Sequence, residues 1–234
     1  MIHADDQRST AQPGLRGTTP AVQDYLKVIY KLQQRERPVP TVLIAERLGL
    51  SAAAVSKMLK HLAALRLVEH RRYQGVTLTA PGERIALEVI RHHRLLELYL
   101  AEALGLAWDR VDAEAEVLEH VLSEEVEERI AALLGDPTRD PHGDPIPSRD
   151  GVLDERAGRW LADVPVGTPA RILRVPDRDP RLLRHLGALG LVPQAEVRVV
   201  RREPLAGPLH VQLSGAPAAH VLGRDIAERI AVSW

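Results

Sequence analysis

Three side chains that can bind a metal ion are spaced at helical intervals near the middle of the chain. They lie in the run Glu116-Val117-Leu118-Glu119-His120. Residues three and four apart share one face of an α-helix, so two carboxylates and one imidazole would point the same way. The two carboxylates repel each other unless a cation lies between them. The spacing therefore indicates a divalent-cation site, and an acidic, solvated helix face is the alternative.

A second group of potential ligands precedes the first. His93 and Glu97 are four residues apart, and Asp112 lies one helical turn before the first group. Carboxylate oxygens with one imidazole suit a fairly hard ion such as Mn²⁺, with Fe²⁺ as the alternative. By contrast, His92 is expected to be a surface or phosphate-side residue rather than a ligand, and the acidic run 124–128 is expected to be a solvated helix face.

The composition limits what other chemistry the chain can perform. It has 234 residues, 10 histidines, 2 methionines, no cysteine and a net charge of −1. The lack of cysteine excludes disulfides, Cys-ligated zinc, iron–sulfur clusters and thiol catalysis, so any metal must be held by histidine and carboxylate. No apolar run reaches the ~20 residues that span a bilayer, and the N-terminus lacks the apolar core of a signal peptide. The sequence predicts a cytoplasmic protein with no membrane partner.

The small net charge conceals three segments of different sign. Residues 1–87 carry 13 basic and 7 acidic side chains, residues 88–147 carry 5 and 15, and residues 148–234 carry 13 and 10. A basic segment beside an acidic one indicates a polyanionic partner for the first and cations for the second. Solvated faces on long helices are the alternative.

Helix-capping and helix-ending residues predict three helices and a hairpin in the first segment. Thr19-Pro20 begins a helix that ends before Pro38. A short helix capped by Thr41 stops at Gly49, and Ser51 caps a third helix. Two β segments, Leu67–Arg71 and Val76–Leu78, follow. This order predicts a winged helix-turn-helix.

The start of the third helix and the hairpin tip are the predicted DNA-contacting surface. The second helix of a helix-turn-helix enters the major groove. Small side chains there can meet thymine methyls or phosphates, and lysines add charge-driven affinity. Val55 is expected to face the core, and a packing unit without a DNA role is the alternative. The predicted contacts are Ser51, Ala53, Ala54, Ser56, Lys57, Lys60, Arg71, Arg72 and Tyr73.

The remaining chain changes from helical to β patterning. Apolar spacing predicts one helix from Pro81 to Gly105 and a second from Asp109 to Gly135. Residues 136–150 hold four prolines and are interpreted as an extended linker. A small β-barrel or sandwich is predicted after them. Its elements are the strands Arg171–Val175, Glu196–Arg202 and Leu209–Leu213 and the helix Pro180–Leu189.

Together these motifs resemble the diphtheria-toxin-repressor family of metal-dependent transcriptional repressors, including its manganese-responsive members. The resemblance covers nearly the whole chain. It rests on Thr19–Leu26, Ile44–Leu48, Ser51–Lys57, Leu78–Gly82, His93–Glu97, Glu116–His120 and Pro141–Pro147, and on Leu189–Pro193 and Leu222–Arg224 near the C-terminus.

The resemblance implies a mainly α fold with small β parts. It implies a winged helix-turn-helix domain, a helical dimerisation domain and a C-terminal SH3-like β-barrel. The expected boundaries are a flexible arm at 1–17, the DNA-binding domain at 18–87, the metal-binding and dimerisation domain at 88–147, a linker at 148–162 and an SH3-like (FeoA-like) domain at 163–234.

The resemblance also implies two metal sites. Iron-responsive members place Met and Cys where this chain has Asp24 and Glu116, which points to Mn²⁺ as the effector. Two-domain manganese members carry a Glu where this chain has Lys27, so two separated sites are expected rather than an adjacent pair. The implied primary ligands are Asp24, Glu116, Glu119 and His120; the implied secondary ligands are His93, Glu97 and Asp112, completed by Asp177 and Asp179.

The implied function is a homodimeric repressor that binds a palindromic operator on double-stranded DNA when Mn²⁺ is present and controls metal-uptake genes. Other divalent metals are expected to act in vitro. An iron-dependent repressor of the same family and a metal-independent winged-helix regulator are the alternatives. A metal-dependent hydrolase is the rival from another class. The sequence has no His-Glu-x-x-His, nucleophile-elbow or phosphate-loop motif, so no enzyme is expected.

Overall fold

The chain divides into two compact units. The computed structural model describes residues 15, 17–71, 74–154 and 158–234. The units are Met1–Ile90 and Arg91–Trp234. Nearly all of the expected N-terminal arm lies outside the described residues, as do Arg72 and Tyr73 of the expected wing tip. Within the described ranges, no helix is both long and apolar enough to cross a bilayer.

The first unit contains the three helices and the hairpin that the caps predict. The Thr19 hydroxyl accepts a hydrogen bond from Val22 N, and Ser51 accepts one from Ala54 N. Gly49 ends the second helix in the left-handed conformation, at φ 65°. The elements are α1 (Pro20–Gln33), α2 (Thr41–Leu48), α3 (Ala52–Ala64), β1 (Val68–Arg71) and β2 (Gly75–Leu78).

One cap in this unit differs from the prediction. Thr41 begins α2 and does not cap it, because Pro40 holds the N-cap position and makes no side-chain hydrogen bond. The core is mainly aliphatic, with the buried rings of Tyr25 and Tyr30, and Val55 is fully buried as predicted. Strands β1 and β2 are antiparallel, with Val68 opposite Leu78 and Arg71 opposite Gly75. The other fully buried core side chains include Leu26, Ile29, Ile44, Leu59 and Leu62.

The second unit begins within a long helix and continues into two shorter ones. Helix α4 is Ala80–Glu102, which matches the predicted helix to within a few residues. The predicted single helix over 109–135 is wrong. The chain forms α5 (Val111–Leu118) and α6 (Glu124–Leu133), since Ser123 caps a new helix by accepting from Val126 N. A Ser followed by two glutamates is a sequence signal for such a start.

The interpretation of residues 136–150 as an extended linker is also wrong. Asp140 and His142 are buried, and Ile146 belongs to the apolar core that α4, α5 and α6 share. A bridge between Arg139 and Pro145 closes the segment into a compact loop. The four prolines therefore stiffen a packed element. We call residues 136–150 the proline segment.

The C-terminal part of the second unit is a β domain, as predicted, with more strands than the sequence indicates. Its six strands pair antiparallel in the order β3-β8-β4-β5-β6-β7 around an aliphatic core. The missed strands are two to four residues long, too short for a clear alternation pattern. The elements are β3 (Arg159–Trp160), β4 (Pro169–Arg174), α7 (Pro180–Ala188), β5 (Glu196–Arg202), β6 (Leu209–Leu213), β7 (Ala219–Leu222), α8 (Arg224–Ala227) and β8 (Ala231–Ser233), with a 3₁₀ turn at Leu161–Asp163.

The β domain packs against the helical part of the same unit through a few contacts. Val175 N donates to His142 O at 2.9 Å, and the Arg174 guanidinium lies 3.2 Å from Asp144. Trp108 packs against the β-domain core and stacks on the His142 ring. These contacts place the β domain beside the candidate metal ligands.

Candidate metal centre

His93 on α4 is surrounded by carboxylates from α4, from α5 and from the turn that follows α5. Its Nδ1 lies 2.6 Å from Glu119 Oε2, and its Nε2 lies 3.2 Å from Asp112 Oδ1. Glu116 and Glu97 add oxygens at 3.7 Å from Nδ1 and Nε2, respectively. One buried imidazole therefore faces four carboxylates. The donor atoms form two overlapping groups that could hold a cation, His93–Glu116–Glu119 and His93–Glu97–Asp112.

Glu119 and His120 do not lie within a helix, contrary to the prediction that they share a helix face with Glu116. Helix α5 ends at Leu118, Glu119 is its C-cap, and His120 is in the following turn. The two remain adjacent, with His120 Nε2 3.5 Å from Glu119 Oε1. Glu119 is 1% exposed, whereas Glu116 reaches the same imidazole from an exposed position. The donors are thus brought together by a helix end and a turn.

A third potential cation site was missed by the sequence reasoning. Glu97, Asp140 and His142 form a fully buried group with donor atoms within 4.8 Å of one another. Glu97 Oε1 and His142 Nδ1, 3.6 Å apart, have no hydrogen-bond partner among the described residues. Buried polar atoms are nearly always hydrogen-bonded. The sequence signal for this site is the pair of potential ligands in Asp140-Pro141-His142. The interpretation of the segment as a linker left these two residues out of the predicted ligands.

The buried carboxylates of this group have raised pKa values. Burial raises the pKa of Glu97 well above its ordinary value; His93 opposes this shift, while Asp140, Asp112 and Asp177 add to it. Burial and the neighbouring Asp144 carboxylate raise the pKa of Asp140 to about 6. A bound cation would offset the excess negative charge of these buried carboxylates. The residues fit a metal ion, and all of their donors are oxygen or imidazole nitrogen.

The three other predicted ligands are placed differently. Asp177 of the β domain is close enough to raise the pKa of Glu97. Asp179 is exposed and caps α7 by accepting from Arg181 N at 2.9 Å. Asp24 is half-buried on α1, in the first unit, whereas the other ligands belong to the second. Its role as a ligand therefore stays a prediction.

One histidine and one glutamate that were expected at the surface are buried instead. His92 is 1% exposed, and Glu127, in the middle of the acidic run, is 8% exposed. Glu127 Oε1 accepts from Arg91 Nε at 2.5 Å, and Glu127 Oε2 lies 3.0 Å from His92 Nε2. Burial alone would raise the pKa of Glu127, but these hydrogen bonds outweigh it and lower the pKa. The acidic run 124–128 is a solvated face except at Glu127, which packs against α4.

The predicted DNA-contacting residues of α3 and its N-cap are exposed, with one exception. Lys57 and Lys60 are exposed, Ser56 is half-buried, and Arg71 is exposed at the end of β1. The Ser51 side chain caps the helix by accepting a hydrogen bond from Ala54 N at 3.2 Å. The small residues Ser51, Ala53 and Ala54 are also exposed.

Comparisons with known proteins agree with this arrangement. Residues 17–76 match the family profile described as the N-terminal DNA-binding domain of iron-dependent repressors. Residues 79–148 match the metal-binding and dimerisation domain of the same proteins. Residues 160–233 match the FeoA domain, which has the SH3-like fold. The order of the three matches is the order that the sequence predicts.

The similar proteins include both iron- and manganese-dependent repressors. The chain is 36% identical over 191 residues to the iron-dependent repressor IdeR of Mycobacterium leprae, covering 75% of this chain and 81% of that protein. It is 37% identical over 153 residues to the diphtheria toxin repressor of Corynebacterium diphtheriae, covering 63% and 68%. A solved manganese-dependent transcriptional repressor in complex with manganese superposes with a TM-score of 0.82 at 42% identity, covering 90% and 98%. The chain belongs to the iron-dependent repressor, or diphtheria-toxin-repressor, family of metal-dependent DNA-binding transcriptional repressors, which are not enzymes.

Proposed function

We propose that this repressor is activated for operator binding by Mn²⁺. The observation that carries the proposal is the donor set around His93, which consists of carboxylates and imidazole without sulfur. Hard oxygen donors favour Mn²⁺ over softer ions, and Fe²⁺ is the nearest competitor. Control of metal-uptake genes follows from the same proposal, because a repressor that responds to Mn²⁺ can reduce Mn²⁺ entry. Such a protein acts on chromosomal DNA in the cytoplasm.

Two ligand sets support the proposal. The primary set is Asp24 with Glu116, Glu119 and His120; its second-unit members all lie at the end of α5. The secondary set centres on Glu97 and extends from His93 and Asp112 to Asp140 and His142. Asp177 is the β-domain residue that we assign to this second set, and Asp179 is left out because it caps α7.

The primary set would connect the two units. Asp24 belongs to α1 of the DNA-binding unit, whereas its proposed co-ligands belong to the metal-binding unit. A bound ion supplies the positive charge that lets these carboxylates approach. Asp24 would then fix the recognition helix relative to its twin in a homodimer, whose two helices must be about 34 Å apart to contact successive half-sites of a palindrome. Metal and operator should each tighten binding of the other by a coupling of about 1–3 kcal/mol per site.

An operator titration tests the proposal. An operator selected from a random duplex pool is titrated with full-length protein in Mn²⁺, in Fe²⁺ under reducing conditions, in Zn²⁺, and in chelator. We expect Mn²⁺ to tighten binding about 5- to 150-fold over chelator. Equal binding in chelator would identify a metal-independent regulator instead. A larger effect of Fe²⁺ at matched free-ion concentration would identify an iron-dependent one.

The exposed lysines of α3 should determine the salt dependence of DNA binding. Each phosphate contact adds about 0.9 to the slope of log affinity against log salt. We therefore expect Lys57→Ala to weaken operator binding and to reduce that slope by about 1. Fluorescence anisotropy at several salt concentrations measures both quantities. Arg198→Ala, which removes an exposed cation from β5 of the β domain, should leave the slope unchanged; an unchanged slope in Lys57→Ala would remove this residue from the interface.

A further inference from the structure

His92 is a buried histidine with no place in the proposed ligand sets, although it lies directly beside them. It precedes His93 on α4 and is 1% exposed. Its Nδ1 is 3.2 Å from the carbonyl oxygen of Glu119, and its Nε2 is 3.0 Å from Oε2 of Glu127. Both ring nitrogens therefore face oxygen acceptors, one in the turn after α5 and one on α6.

The Glu119–His120 turn needs support from outside itself. Glu119 N still donates to Ala115 O at 2.9 Å, so the last helical bond of α5 is made. The carbonyls at a helix end, however, have no partner within the helix. Residues 119–121 form a turn, and the Glu119 carbonyl is contacted by the His92 side chain. A ligand in such a turn keeps its position only if another element holds the backbone.

His92 is itself held by the packing of three elements. Glu127 of α6 accepts from Arg91 as well as facing His92, and Arg91 Nη1 donates to Pro147 O at 2.7 Å. Arg91 and His92, adjacent on α4, thus contact α6, and Arg91 also contacts the proline segment. The imidazole has a fixed location from which to hold the Glu119 carbonyl.

We propose that His92 is a positioning residue for the metal site, which holds the Glu119–His120 turn against α4 so that its side chains stay aligned with His93. The inference rests on the proposed metal-binding function. His92 contacts the backbone of a ligand residue and supplies no donor to the ion. Loss of a group that orients a ligand typically lowers metal affinity about 10- to 100-fold.

Two substitutions separate the two contacts of His92. The amide nitrogen of asparagine is as many bonds from Cβ as Nδ1 of histidine, so His92→Asn keeps a donor for the Glu119 carbonyl. The amide nitrogen of glutamine corresponds to Nε2, so His92→Gln keeps a donor for Glu127 and loses the one for Glu119. Both variants remove part of the ring, so a purely structural role would affect them alike.

The experiment measures Mn²⁺ affinity of full-length protein by calorimetry, with Mn²⁺ as the only ligand. Circular dichroism and thermal unfolding in chelator define the range in which each variant is folded. We expect His92→Gln to lower Mn²⁺ affinity about tenfold or more, and His92→Asn to stay within about threefold of the wild type. His185→Asn, at an exposed position of α7, is the matched control and should bind like the wild type.

The outcomes distinguish this inference from the function on which it rests. Equal losses in His92→Asn and His92→Gln, or no loss in either, would overturn the positioning role while the wild type still binds Mn²⁺. Failure of the wild type to bind Mn²⁺ would overturn the proposed function and the positioning role together.

Discussion

Replacing Glu119 with glutamine is expected to abolish metal-dependent operator binding. Glu119 is almost fully buried, and one of its carboxylate oxygens lies 2.6 Å from His93 Nδ1. Glutamine has the same shape but lacks the charge and replaces one oxygen by an amide group. Because the residue is a proposed direct ligand, the loss of Mn²⁺ affinity should exceed the about 100-fold upper range for supporting groups. Calorimetry measures the Mn²⁺ affinity, and anisotropy measures operator binding at an Mn²⁺ concentration that saturates the wild type.

The same substitution at an exposed glutamate provides the control. Glu125→Gln changes an exposed glutamate of α6 whose carboxylate lies 2.9 Å from the exposed Arg129 guanidinium. It should retain both Mn²⁺ binding and operator binding, since an exposed pair contributes about 0–1 kcal/mol. Unfolding curves in chelator establish that both variants fold. Mn²⁺-dependent operator binding by Glu119→Gln at wild-type strength would remove this residue from the metal site.

The second large effect is expected at Gly143 of the proline segment. Its φ is 90°, and a Cβ there would lie 1.9 Å from Leu173 O and 2.9 Å from Arg174 Cα. Both atoms belong to the backbone of β4 and cannot move alone. Backbone strain and overpacking together give a loss of about 3 kcal/mol for Gly143→Ala, which is about 10 °C in melting temperature for a chain of this size. Differential scanning calorimetry measures the shift.

The same substitution should also disturb the secondary ligand set. Gly143 follows His142 directly, so relief of the clash displaces the segment that carries Asp140 and His142. Titration calorimetry should then show one class of Mn²⁺ site fewer. Gly135→Ala is the matched control, because its φ is 73° and nothing lies within 4 Å of the added Cβ. It should lose only about 1 kcal/mol; an equal effect of both substitutions would show that the contact with β4 is unimportant.

Most of the fold could be predicted because local signals and apolar spacing agree there. Thr19, Ser51 and Gly49 cap or end helices as expected, and Val55 faces the core. Apolar spacing does not reveal the break after Leu118 because it continues across the break, and the Ser123 cap is the local signal against it. The proline segment was misinterpreted because composition alone cannot distinguish a stiff packed loop from an extended one.

The candidate metal site was predictable in residue types but not in arrangement. Spacing alone groups Glu116 with Glu119 and His120, and His93 with Glu97. It cannot show that one imidazole faces both groups, because that contact depends on how α4 packs against α5. Nor can spacing reveal that His92 and Glu127 are buried partners, since each lies in a polar run. Burial of charged residues depends on tertiary packing, which a local pattern does not contain.

The few contacts between the β domain and the proline segment have a consequence for how firmly the β domain stays docked. The two parts share one chain, so docking is intramolecular, with an effective concentration in the millimolar range for a short flexible connection. Contacts equivalent to a millimolar dissociation constant, about −4 kcal/mol, therefore suffice to keep it docked about half of the time. The contacts that dock it include Val175 N to His142 O, Arg174 to Asp144, and the packing of Trp108 against the β-domain core. Because the polar contacts adjoin Glu97 and Asp140, we expect a free-energy change at those carboxylates to alter how firmly the β domain is docked.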